Sequence, residues 1–217
     1  MSLFPYFLPN FSFLILNFVT MTTKIFLAGV LGAVAMFTWQ FIAHMFLPLG
    51  EAGFAEIPNE SAVVAVMQSN IGEKVGLYLY PGTGLGPTAT KEEKSEVMKR
   101  MPDMYASKPS GLLLYHPPGE PFKFGQRLAI QFVTDLVLSL LAVFLLARAR
   151  LTTFGSIMGV ATVIGLIAAI VTNIPLWNWY GFPCVYTTAN VTMELVSFLC
   201  VGLVAALMLR PSPSAAP

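Results

Sequence analysis

The chain has 217 residues, 56% of them hydrophobic and only 11% charged, where a soluble globular chain carries about 25% charged residues. That deficit excludes one large water-soluble core and places most of the chain in a bilayer. A net charge of +1 leaves no global field to recruit nucleic acid or an acidic substrate.

Residues 1–20 are apolar but broken by Pro5 and Pro9. They lack the basic start and the Ala-x-Ala site of a signal peptide. Met21 opens a clean run, so residues 1–20 read as an apolar extension upstream of the natural start. The rival reading is an interfacial helix leading into the first span. Residues 21–50 carry that span, expected over 25–47 and ended by Pro48 and Gly50. Its small residues Gly29, Gly32 and Ala33 fall on the side of Met36, Gln40 and His44, and small residues let another helix approach closely.

Residues 51–123 read as a small α+β insertion. Asn59 or Ser61 caps a short helix through Ile71, 73–82 reads as a strand, and Thr90 with Glu93 forms a capping box opening a helix to about Tyr105. A second strand is expected over 111–118. The GTGLG run at 82–86 is a turn rather than a phosphate loop, because Pro87 stands where the Walker pattern needs Lys. His116 and Glu120 flank Pro-Pro-Gly, which fixes no helical geometry for a metal.

Residues 124–210 hold three further spans, expected over 127–147, 153–173 and 188–209. The stretch between the last two contains five aromatic residues, Pro175 and Pro183, and no charge. It reads as an interfacial loop. Residues 211–217 read as a disordered tail. Cys184 and Cys200 stand sixteen apart, one in that loop and one inside a span, which suits a disulfide poorly. No metal cluster or cofactor fingerprint is legible. The expected fold is therefore an all-α membrane protein, a four-helix bundle with an α+β insertion between helices one and two. This layout, with a tryptophan-bearing first helix, resembles several families of small bacterial membrane proteins of inner-membrane type; the resemblance assigns no residue a role.

Charge placement suggests an orientation. Lys24, Arg148, Arg150 and Arg210 flank one side of four spans, and the aromatic loop on the other side has no Lys or Arg. Both termini are then cytoplasmic and 51–123 extracytoplasmic, in a cell membrane. Arg127 is a contrary vote.

Two acids, Asp135 and Glu194, lie inside spans. Gln131, Asp135 and Ser139 recur every four residues, as Asn190, Glu194 and Ser197 do at four and three, so each set shares a helix face. Asp135, Glu194, Gln40 and His44 are expected within about 5–12 Å of one membrane boundary at 1.5 Å per residue. Gln40, His44, Gln131, Asp135, Asn190 and Glu194 are the candidate ligand, ion or proton site. Acids inside a membrane mark such sites, but the same residues also glue helices together. Three functions follow. The first is a non-enzymatic accessory or scaffold subunit that binds a protein partner or a second copy. The second is a small proton- or cation-coupled transporter using Asp135 and Glu194. The third is a membrane-embedded enzyme on a lipid-like substrate, with His44 as base.

Overall fold

In chain order the elements are α1 (Thr23–Met45), α2 (Glu60–Ile71), β1 (Gly76–Tyr80), α3 (Lys91–Ser107), β2 (Gly111–Tyr115), α4 (Phe124–Arg148), α5 (Phe154–Tyr180) and α6 (Cys184–Leu209). They come from a computed structural model that describes residues 22–119 and 121–209. The readings of residues 1–20, of Met21 as a start, of Glu120 and of the stretch from Arg210 onward lie outside the described residues. Helices α1, α4, α5 and α6 are each long and apolar enough to cross a membrane, where a span needs about 20 residues. The chain is a multi-pass membrane protein. It divides into two units: the chain through Phe54 with Lys123–Trp177 and Phe182 onward, and Ala55–Phe122 with Asn178–Gly181.

In the membrane unit, α1 is the central strut. Along α4, the buried positions Asp135, Ser139, Ala142, Val143 and Leu146 fall at spacings of three and four, one continuous stripe. That stripe meets α1 where glycines leave room. A Cβ on Gly29 would lie 2.5 Å from Leu140 Cδ2, and one on Gly32 would meet Ser139 Oγ. Helix α6 presents Phe198, Val201, Ala205 and Ala206 to the same core, which also takes Met36, Val143, Leu146 and Ile157. Helix α5 packs on α6 by the same device: Gly202 faces Ala161, and Gly165 faces Phe198 and Leu195. The small-residue face expected on the first span is thus spent inside the bundle. Gly155 and Gly159 of α5 have nothing within 4 Å of where a Cβ would be.

The aromatic stretch departs from the sequence reading. Residues 174–187 are not an extended interfacial loop. Helix α5 runs through Pro175 to Tyr180, and α6 begins at Cys184. Proline at 175 removes only its own N–H from the ladder; in an apolar medium the remaining backbone groups are satisfied best by staying helical. Pro183 stands just before α6, and its carbonyl accepts from Thr187 N–H at 3.0 Å. A residue that needs no N–H of its own suits that place. The turn itself is Gly181-Phe182-Pro183, with Gly181 at φ +69°.

In the second unit, β1 and β2 pair antiparallel, Gly76 opposite Tyr115 and Tyr80 opposite Gly111. The Tyr115 hydroxyl donates to the Gly72 carbonyl at 3.1 Å. Helix α3 opens with the expected capping box: Glu93 N–H donates to Thr90 Oγ1, and Thr90 N–H donates to Glu93 Oε2 at 2.7 Å. Helix α2 starts after Asn59, which holds φ +53° and makes no side-chain cap.

Candidate functional site

The polar residues of the spans sort into three hydrogen-bonded groups. The first lies between α1 and α4. Asp135 is 2% exposed. Its Oδ1 accepts from Gln131 Nε2 at 2.8 Å, one turn earlier on the same helix. Its Oδ2 is buried without a hydrogen-bond partner. One turn further, Ser139 Oγ donates to the Gly29 carbonyl at 2.8 Å. Asp135 lies eleven residues into α4, about 16 Å along the axis, so it sits near mid-span. The sequence placed it nearer the boundary because the helix starts at Phe124 rather than Arg127.

The second group joins α1 to α6. Gln40 Nε2 donates to Ser197 Oγ at 2.9 Å, and Ser197 Oγ donates to the Met193 carbonyl at 2.8 Å. Trp39 Nε1 donates to that same carbonyl at 3.0 Å. Two adjacent residues of α1 therefore converge on one turn of α6.

The third group joins α5 to α6. Both Glu194 oxygens lie within hydrogen-bond reach of Thr172 Oγ1, at 2.9 and 2.7 Å. That hydroxyl also approaches the Ala168 carbonyl at 2.8 Å and accepts from Asn173 Nδ2 at 2.8 Å. A hydroxyl has one proton, so Thr172 serves either Glu194 or Ala168. Glu194 is half-buried and Thr172 is exposed, so the pair sits on the outer surface of the described bundle.

His44 and Asn190 turn inward on their own helices. His44 Nδ1 lies 2.8 Å from the Gln40 carbonyl, and Asn190 Nδ2 donates to the Tyr186 carbonyl at 2.9 Å. His44 is exposed, and its ring lies where a Cβ on Gly50 would go.

These contacts fix levels along the bundle. Phe37 meets Phe132 edge to face, and Ser139 reaches Gly29, so Asp135 faces the middle of α1. On the α6 side, Gly32 faces Val201 and Trp39 reaches Met193. Asp135 is therefore level with about 197–201 of α6. Glu194 is one to two turns away, roughly 5–10 Å along the axis, and turned toward α5. Of the six candidate residues, Gln131 and Asp135 are brought together; Gln40 and Glu194 each find a partner on another helix; His44 and Asn190 bond their own. No hydrogen bond joins the two carboxylates among the described residues.

Sequence reasoning missed Thr172, Asn173 and the indole of Trp39. The signal for the first two was an adjacent polar pair closing an apolar run, opposite an acid in the next antiparallel span. Among the described residues no group of three or more His, Cys, Asp or Glu comes together as metal ligands would. What the geometry defines is a four-span membrane bundle with polar ties at three helix interfaces. No protein family, curated protein or solved structure matches this chain.

Proposed function

We propose that the chain is a membrane subunit whose task is to bind a protein partner or a second copy of itself, with both termini cytoplasmic and residues 51–123 outside. The observation that carries this is Glu194. A carboxylate near mid-span is costly against lipid unless a donor or cation covers it, and here its two oxygens share a single hydroxyl. A partner helix carrying a complementary polar group would complete its coordination. The open Gly155-xxx-Gly159 face on α5 supports the reading, since such spacing lets helix backbones approach closely. The orientation rests on Lys24, Arg148 and Arg150 flanking one side.

The test is purification in mild detergent, followed by mass measurement of the intact particle. A stable dimer, or a stoichiometric second chain, is expected. Glu194→Leu, and separately Gly155→Leu with Gly159→Leu, should weaken association at least tenfold while leaving the monomer folded. A wild-type chain that is always monomeric and alone removes this reading.

A second reading is favoured by Asp135. An unpartnered carboxylate oxygen in mid-bundle is a place for a coupled proton or cation. Proton or sodium flux in liposomes, lost in Asp135→Asn, would support it; equal flux in the two proteins removes it.

A further inference from the structure

The ends of all four spans meet around a cavity of about 370 Å³. Two cations line it from separate elements: Lys24 in the first turn of α1, and Arg150 in the turn between α4 and α5. Thr152 adds a hydroxyl. The walls are aliphatic, including Leu146, Ile157 and Leu209. Leu146 and Ile157 are buried, whereas Lys24, Arg150 and Thr152 are exposed. The cavity is thus charged at its mouth and greasy within.

No acid lines it. The acids between residue 22 and residue 54, and in 123–177 and 182–209, are Glu51, Asp135 and Glu194 alone. Asp135 is eleven residues before Leu146, about 16 Å away along α4. Lys24 and Arg150 therefore both line a cavity that has no carboxylate among its described lining residues to balance them. Arg150 also holds φ +51°. That is the position after a helix end where glycine is usual, and an arginine there carries backbone strain that glycine would not.

We propose that this cavity is a binding site for an anionic phospholipid. Its phosphate would be held between the Lys24 ammonium and the Arg150 guanidinium, with Thr152 as a further donor, and the start of an acyl chain would lie along the aliphatic walls. Both halves of the ligand are needed: a basic pocket between span ends selects the anionic headgroup, and the apolar interior selects a lipid over a soluble anion. The site stands whether or not the chain associates through Glu194.

The experiment is native mass spectrometry of the full chain released from detergent, titrated with phosphatidylglycerol, with phosphatidylcholine, and with inorganic phosphate. Retention of phosphatidylglycerol at least tenfold tighter than phosphatidylcholine is expected. Removing one charge should weaken it about fivefold, and Lys24→Gln with Arg150→Gln on the order of 25-fold. Arg148→Gln removes a charge from the same end at a residue that does not line the cavity; it should change retention less than twofold. Arg150→Gly keeps the turn, relieves the positive φ and should still weaken retention about fivefold, so a folding defect cannot imitate the result. Equal retention of the two lipids overturns the proposal. So does a loss in Arg148→Gln as large as in Arg150→Gln, which would mean a diffuse surface field. Displacement of the lipid by millimolar inorganic phosphate would also overturn it, in favour of a soluble phosphate ligand.

Discussion

Ser139 and Gly32 occupy one another's space: the hydroxyl oxygen of Ser139 sits where a Cβ on Gly32 would stand, while its proton goes to the Gly29 carbonyl one turn away. The absence of one side chain thus makes room for the hydrogen bond that ties α1 to α4. Gly32→Ala should displace Ser139, break that bond and separate the helices, at about 1–3 kcal/mol. Ser139→Ala removes only the bond and should cost about 0.6 kcal/mol, the usual worth of such ties in a membrane bundle. Thermal unfolding in detergent should show the glycine variant as clearly the worse. Equal losses would mean that the hydroxyl, not the close approach, holds this interface.

The Trp39, Gln40, Ser197 and Met193 contacts behave as one unit. Ser197 Oγ donates to the Met193 carbonyl and accepts from Gln40, while the Trp39 indole donates to the same carbonyl. Trp39→Phe and Gln40→Leu should each destabilise the α1–α6 contact by about 0.5–1.5 kcal/mol. Because Gln40 bonds the Ser197 hydroxyl, which in turn bonds the same Met193 carbonyl that Trp39 reaches, the double variant should depart from additivity by at least about 0.5 kcal/mol. A double-mutant cycle by chemical unfolding in mixed micelles checks this. Simple additivity would place the two contacts in independent roles.

How far such contacts could be read in advance depends on the kind of contact. The four spans follow from long apolar runs, and the Thr90–Glu93 capping box from four consecutive letters. The Gln131–Asp135 bond also follows from spacing, since residues four apart on a helix are neighbours. Partners on different helices do not follow. Periodicity says that Asn190, Glu194 and Ser197 share a face, but not that Glu194 turns to α5 while Ser197, one turn on, turns to α1. A half-turn of rotation decides which neighbour a residue meets, and that rotation is set by where glycines permit close approach. The stretch 174–187 was misread for a local reason: Pro175 and Pro183 signal a break in water, whereas one proline sits within α5 and the other immediately precedes α6.

Gln131 is the single hydrogen-bond donor to Asp135 among the described residues. Gln131→Leu should leave the whole carboxylate buried and unpaired, at about 1–3 kcal/mol. Asp135→Asn keeps the shape, replaces the acid with an amide and should be tolerated without loss of stability. The contrast between these two variants, read as the shift in unfolding midpoint in the same detergent, separates a carboxylate that merely fills space from one whose hydrogen bonding matters. If Gln131→Leu leaves the midpoint unchanged, the bond is incidental.

Outside the spans, the start of α3 depends on two reciprocal bonds between Thr90 and Glu93. They satisfy backbone donors that the first turn of a helix otherwise leaves unpaired. Thr90→Ala removes the bond from Glu93 N–H and the hydroxyl's own bond to Glu93 Oε2, and should cost about 1 kcal/mol locally. Helix α3 is mostly solvent-exposed, with Val97 its one buried residue, and it carries Pro102 in its interior, so little packing compensates for a lost cap. Hydrogen exchange on the full chain should therefore quicken about fivefold across 91–101, with the amides of α1 and α6 unchanged. Faster exchange that spreads into those two helices would show that the insertion and the bundle unfold together rather than as separate units.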